Sequence, residues 1–269
     1  MKTRQALVAA CLLVSAVPGS AQPRLTNAQV TQRVVTGSLS ATVQALAGEA
    51  VQPAWVAWEA SSTPRRHGDN WCWSEGTVIQ SNRLEPADTI FVFLRVENRR
   101  IERVRMFDDG CPVDAGNRPV TWLPGVRPAE GIAFLATLAD DTDSESRVWK
   151  GALAALAQHA GSEAVQPLLR LARQAPEARL RGEALFWLAQ RAGREATLAI
   201  TDAIANDPET DVKKRAVFAL SQLPASEGVP RLIDVARTHR NPAVRKQAMF
   251  WLGQSKDARA VAFFEEVLK

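Results

Sequence analysis

Apolar positions in the second half of the chain follow two superposed periods. The short one is helical: Val212, Ala216, Val217 and Leu220 stand at i, i+4, i+5 and i+8, which places them on one face of a helix. Val229, Leu232, Ile233, Val235 and Ala236 repeat that spacing in a second helix. The long period is 32 residues, seen in the columns Ala152, Ala184, Ala216, Ala248 and Leu156, Leu188, Leu220, Leu252 and Gln158, Gln190, Gln222, Gln254. A fixed period of this size marks a stack of structural units, each burying its apolar face on the next. Asn206-Asp-Pro208 and Arg240-Asn-Pro242 separate units, and Pro224 to Gly228 separates the two helices of one unit. Proline lacks an amide hydrogen and stops the helix before it. The pattern therefore predicts four 32-residue helical hairpins over 146–269. Ala129 to Ala139 matches Ser162 to Ala172 in its apolar positions and predicts a half repeat over 129–145, so the helical part spans 129–269.

Residues 22–128 alternate differently. Val30 to Thr36 predicts a short strand, and Ser38 caps a helix with Leu39, Val43, Leu46 and Ala47 on one face, ended by Gly48. Trp55 to Ala60 predicts a strand. Thr89 to Glu97, a turn at Asn98 to Arg100, and Ile101 to Phe107 predict a hairpin, with Val104 and Met106 buried and Arg103 and Arg105 wet. Pro119 to Pro128 reads as the connection to the helices. The fold class expected is a small α+β domain with a disulfide, followed by a right-handed α-solenoid of helical hairpins.

Residues 1–21 read as a secretory leader: Lys2 and Arg4, an apolar core from Ala6 to Val17, then Gly19-Ser-Ala21. Cleavage after Ala21 implies a secreted or periplasmic protein. That apolar core is too short to span a bilayer, which takes about 20 residues, and no later segment is apolar for long enough. Removing the leader leaves 31 basic against 29 acidic residues, a net charge of +2. Such a balance does not point to nucleic acid. Cys72 and Cys111 then remain, an even pair in an oxidising compartment. The alternatives are a disulfide and a metal site completed by His67 and an acid, and the lack of metal-ligand spacing favours the disulfide.

The unit start, with Val148, Leu180, Val212 and Val244 each followed by Trp149, Arg181, Lys213 and Arg245, resembles the bacterial HEAT-like repeat of the phycobilisome-lyase type. The resemblance is firmest in Ala243-Val-Arg245 leading into Ala248 to Gln254, although the Gly253 position holds Ala157, Ala189 and Ser221 in the other units. Residues 22–128 resemble, through Pro53 to Val56, Trp71-Cys-Trp73, Cys111 to Gly116 and Trp122 to Val126, the leading domain of some secreted bacterial HEAT-repeat proteins. The second resemblance brings no activity with it, and the first suggests a lyase only through the name of its repeat type.

Chemistry has few places to reside. His67, His159 and His239 are the only histidines and read as solvated loop residues, and no nucleophile elbow, His-Glu-x-x-His or phosphate loop occurs. No catalytic residue, cofactor or metal is expected. Asp108, Asp109 and Asp114 around Gly110 read as a turn rather than a calcium loop.

The resemblance implies that second helices line the concave side of the stack. Arg170, Asp202, Asp234 and Glu266 form one column there, and Arg173, Ala205, Arg237 and Lys269 another, three residues on. These columns make a polar stripe for a partner, or pair internally as Asp234 with Arg237 and Glu266 with Lys269. Phe186, Phe218 and Phe250, with Trp187 and Trp251 in the next column, read as core. Phe263 breaks its column and reads as a surface covered either by the first domain folding back or, the favoured reading, by a partner or by self-association through the last repeat. Secondary candidates are Arg65, Arg66, Trp71 and Trp73 in the tryptophan loop and Arg99 and Arg100 at the hairpin tip. The expected function is a non-enzymatic, protein-binding scaffold of the cell envelope. The alternatives are a glycan- or small-molecule-binding first domain with the repeats as spacer, and a lyase-like enzyme.

Overall fold

The computed structural model describes residues 23–63, 72–74, 77–79, 88–141, 146–191 and 193–268. The leader reading, Arg65, Arg66 and Trp71 lie outside the described residues. Of Cys72 and Trp73 only the strand placement is described.

The first part is a sheet with one helix across it. In chain order come β1 (Arg24–Gln32), α1 (Leu39–Glu49), β2 (Ala54–Ser61), the two short strands β3 (Cys72–Ser74) and β4 (Thr77–Ile79), then β5 (Thr89–Glu97), β6 (Arg100–Asp108) and β7 (Pro112–Trp122). The large sheet has the order β1-β7-β2-β5-β6, and β3 and β4 pair separately. Ser38 caps α1 as its residue type predicts, its Oγ accepting from the Ala41 amide at 3.1 Å. The helix runs on through Gly48 to Glu49.

β7 is the strand that pattern alone conceals. It lies between β1 and β2, parallel to both, yet carries Gly116, Asn117 and Pro119. Gly116 and Asn117 take positive φ (64° and 59°), and Asn27 opposite takes φ 49°. The register slips there, between Thr26 and Ala28. A bulge of this kind is where strand-poor residues are tolerated.

Alternation divides the sheet into two cores. Val56 and Trp58, Val92 and Leu94, and Val104 and Met106 face the helices and share one cluster with the repeat interior. Trp55, Phe91, Phe93, Phe107, Val113, Val120 and Trp122 form a second, aromatic cluster on the opposite face. β5 reads as an unbroken apolar run because both its faces are buried.

Ten helices occur among the described residues. After α1 come α2 (Pro128–Asp140), α3 (Ser146–Gln158), α4 (Val165–Gln174), α5 (Ala178–Arg191), α6 (Arg194–Asn206), α7 (Thr210–Gln222), α8 (Ala225–Thr238), α9 (Pro242–Gln254) and α10 (Ala258–Val267). α3, α5, α7 and α9 pack in sequence as first helices, and α4, α6, α8 and α10 are their second helices. α2 takes the place of a second helix ahead of them and packs on α3 and β2. Column residues Ala152, Ala184, Ala216, Ala248 and Leu156, Leu188, Leu220 are fully buried. The helices begin within the stretch read as a linker, since α8 starts at Ala225 just after Pro224.

α3 carries the sheet into the repeats. Its Gly151 lies so close to β6 that a Cβ would stand 2.2 Å from the Val104 carbonyl oxygen. The end of β2 continues along the end of α3, with the Ala160 amide donating to Ser61 O at 2.7 Å and Thr63 N–H to Gln158 O at 3.0 Å.

Aromatic positions in the repeats depart from expectation. Trp187 is buried, but Phe186, Phe218 and Trp251 are half-buried and Phe250 is 54% exposed. They form a surface ladder, Phe186 stacking on Phe218 at 5.7 Å and Phe218 meeting Trp251 at 4.8 Å. The interior at that level is filled by the alanine and leucine columns, so the rings lie between helices at the rim. Phe263 moves the other way. It is only 2% exposed, beside Phe264 and under the Arg237 guanidinium at 5.5 Å, and is no contact for a partner.

Candidate functional site

The two polar columns do lie together on the second helices, and their pairing follows one geometric rule. Arg237 of α8 pairs with Glu266 of α10, a step of 29 residues to the next second helix. Arg170 of α4 pairs with Asp140 of α2 at 2.9 Å, a step of 30 residues between the corresponding helices with the charges reversed. The pairing expected inside one helix, Asp234 with Arg237, is replaced by this pairing between helices. Lys269 lies outside the described residues.

The middle junctions differ. A step of 29 from Arg173 reaches Asp202, and a step of 29 from Ala205 reaches Asp234. Arg173 and Asp202 line the same cleft between α4 and α6 without pairing. Asp234 has alanine where the rule calls for a cation. Among the described residues neither aspartate nor Arg173 makes an ion pair. These junctions are bridged instead near the starts of their helices, Gln166 donating to Glu195 at 3.5 Å and Thr197 to Glu227 at 3.2 Å.

The cleft has a volume of about 340 Å³, with Ala172, Ala199 and Ala203 among its apolar lining and Arg173, Asp202 and Asn206 among its polar lining. Small side chains open it, because alanine on facing helices leaves room that leucine would fill. Asn206 donates to Asp202 Oδ1 at 2.7 Å and fixes that carboxylate. At its base Arg181 and Asp207 form a two-pronged pair, Nε to Oδ2 at 2.7 Å and Nη2 to Oδ1 at 3.0 Å. Arg181 also donates to the carbonyls of Ala175 and Pro176. Burial pushes the Asp207 carboxyl up, but hydrogen bonds from Arg181 and the Glu209 amide and the nearby charges of Arg181 and Lys213 outweigh it, so its pKa is lowered. The pair is fully occupied with holding two loops. It serves the cleft as a rigid floor.

Sequence reading missed that pair, although a signal exists in the column Arg181, Lys213, Arg245. Each of these cations turns back to carbonyls of the preceding inter-unit region, Lys213 to Ala205 O and Arg245 to His239 O and Arg240 O. His239 is likewise no solvated loop residue. Its Nδ1 accepts from the Asn241 amide at 3.1 Å, so Nε2 carries the proton and donates to Ile204 O at 3.0 Å.

His159 departs furthest from expectation. It is 0% exposed at the end of α3, and neither ring nitrogen has a hydrogen-bond partner. Gly131 of α2 presses on the ring, where a Cβ would stand 3.2 Å from Nε2 and 3.4 Å from the Trp58 indole nitrogen. Arg191 lies nearby, bound to the carbonyls of Ala157, His159 and Gly161. Burial, with a smaller contribution from the Arg191 charge, lowers the imidazole pKa to about 4. The ring is neutral at pH 7.

The remaining candidates divide. Arg99 and Arg100 stand exposed at the β5–β6 turn, Arg99 at φ 63°, and Arg100 pairs with Glu102. Asp114 accepts from Asn27 Nδ2 at 3.1 Å and from the Gly116 amide at 2.8 Å, which fastens β7 to β1 at the bulge. Among the described residues no group of three or more His, Cys, Asp or Glu side chains could hold a metal. No described helix is long and apolar enough to cross a membrane.

No curated protein matches the chain. Among solved structures it is similar to human deoxyhypusine hydroxylase in complex with glycerol, at 20% identity and a TM-score of 0.37, over 50% of this chain and 43% of that one. This chain thus spans less than half the length of that structure's chain. Residues 197–269 match the family model of HEAT repeats. That match takes in most of α6 and all of α7 to α10, and the helical half of this protein is a stack of such helical hairpins.

Proposed function

We propose that this protein is a non-enzymatic scaffold of the cell envelope that binds another protein through its second-helix face. The observation that carries the reading is the pattern of pairing on that face. Ion pairs close the α2/α4 and α8/α10 junctions, while the α4/α6 junction leaves Arg173 and Asp202 open along a cleft and the α6/α8 junction leaves Asp234 without an ion pair among the described residues. Charges left open at the middle of a rigid stack cost nothing in burial and are free to meet complementary charges. HEAT repeats suit this use because a preformed surface binds without the entropy of ordering itself.

The envelope location rests on the leader reading of residues 1–21 and on the two remaining cysteines. Cys111 is fully buried just ahead of β7, and β3, which begins at Cys72, packs on β6 and β7. A Cys72–Cys111 disulfide would pin the tryptophan loop across the sheet, closing a loop of about 40 residues at roughly 3 to 4 kcal/mol in the chain-entropy estimate.

The test is cross-linking capture from the cell envelope with the mature protein beside an Asp202→Lys, Asp234→Lys variant. Scaffold function predicts one partner captured by the first bait and lost by the second at unchanged melting temperature. Capture of the same partner by both baits would remove the groove from consideration.

A further inference from the structure

We propose that the two open junctions take an extended peptide segment of the partner, one carrying an acidic residue and two basic residues at intervals of three. Its carboxylate meets Arg173 and its two cations meet Asp202 and Asp234. This rests on the scaffold reading above and names the chemistry of the occupant.

Three observations point to this chemistry. The first is charge order. Arg173, Asp202 and Asp234 stand on α4, α6 and α8, one charge per helix in the sequence plus, minus, minus along the stack. That order repels a polyanion at two of three positions, and it needs a ligand of mixed sign. The second is spacing. Packed neighbouring helices have axes about 8–10 Å apart, and an extended polyproline-II segment has three residues per turn and rises about 3.1 Å per residue, so every third residue lies on the same side and comes opposite the next helix. The third is preorganisation. Asn206 holds one oxygen of Asp202, and the Arg181–Asp207 pair keeps the loops at the cleft floor in place. The cleft, about 340 Å³, is at the low end of the roughly 300–1,000 Å³ of ligand clefts. It takes a side chain or two of a segment that runs on across α8, and it is too small to hold a large cofactor. Arg173 and Asp202 sit at the register where Arg237 and Glu266 pair, so a bound segment takes up the valences that self-pairing satisfies elsewhere.

The probes are two fluorescent synthetic peptides, Glu-Thr-Ser-Lys-Thr-Ser-Lys and its reversed order, with a control of the same composition whose three charges are adjacent. They are titrated into the full chain by fluorescence anisotropy. One spaced peptide should bind at least about fivefold tighter than the control, and Asp202→Asn with Asp234→Asn should weaken it about tenfold. Those factors correspond to exposed pairs contributing up to about 1 kcal/mol each. Arg173→Gln should weaken it about threefold, and an Asp202→Lys, Asp234→Lys variant should prefer a Glu-Thr-Ser-Glu-Thr-Ser-Glu peptide. Circular dichroism melting shows whether each variant is folded. Equal binding of spaced and control peptides, or no effect of the variants, overturns the proposal. If envelope capture still depends on Asp202 and Asp234 while both spaced peptides fail, the peptide chemistry is wrong and the scaffold reading survives.

Discussion

The sheet and the repeats bury their interiors with different materials. In the sheet, Trp58, Trp122, Phe91 and Phe93 are almost wholly enclosed, with edge-to-face contacts such as Phe91 on Trp122 at 5.8 Å on one face and Trp58 on Phe134 on the other. In the repeats the enclosed columns are alanine and leucine, and while Trp149, Trp187 and Phe263 are enclosed, Phe186, Phe218, Phe250 and Trp251 lie at the rim. A sheet between two layers has wide gaps to fill, whereas helices that must stack at close spacing admit only small side chains at the crossing. The same difference governs polar groups. A polar group trapped in the sheet junction, such as His159, has no neighbour of its kind to show what is ordinary there. A polar group in the repeats has an equivalent one unit away, so the open charges at Arg173, Asp202 and Asp234 show themselves by comparison with paired Arg237 and Glu266.

The contrast is sharpest for aromatic truncation. Trp58→Ala removes an enclosed ring that meets Phe134 at 6.2 Å, and should cost about 3–5 kcal/mol in denaturant unfolding. The same change at exposed Phe250 should cost under about 1 kcal/mol. Comparable losses at both sites would show that the rim ladder is part of the core.

Acid should act on the junction ahead of the repeat face. The folded His159 pKa lies near 4, below an ordinary value of 6.5, so below pH 6.5 the unfolded chain binds the proton first. The stability contributed by the neutral ring is complete above about pH 6.5 and is lost progressively as pH falls to about 4, for a total near 3 kcal/mol. Unfolding free energies measured from pH 7 to 4 should show that slope, and His159→Leu should flatten it. An unchanged slope in the variant would mean that other groups govern the acid response.

The smallest effect separates function from stability. Asp202→Asn with Asp234→Asn should change unfolding free energy by no more than about 0.5 kcal/mol, since neither carboxylate is paired with a cation. A loss well above that value would assign these residues to the fold and weaken the case for a partner.

Legibility followed locality. Helical hairpins, their 32-residue step and the buried columns were readable because each contact repeats between neighbours at one fixed separation. Ser38 as a cap and the β5–β6 hairpin were readable because their partners lie within a few residues. The polar stripe is readable from its columns, but the pairing that spacing offers is within a helix, Asp234 with Arg237, whereas Arg237 pairs between helices with Glu266. β7 was missed because its place in the sheet comes from β1 and β2, far away in sequence, and the bulge at Gly116 and Asn117 interrupts its alternation.

By itself, then, the order of residues determined the hairpins, their repeat, the small-residue interior and which helices carry the charge columns, since periodic spacing alone places side chains on a face. The tertiary structure decided which of those charges are paired, that Phe263 is enclosed and Phe250 is not, and that His159 is trapped without a partner. Those outcomes depend on the distance between residues brought together from different helices and strands, and on how much water their packing leaves, neither of which any local pattern encodes.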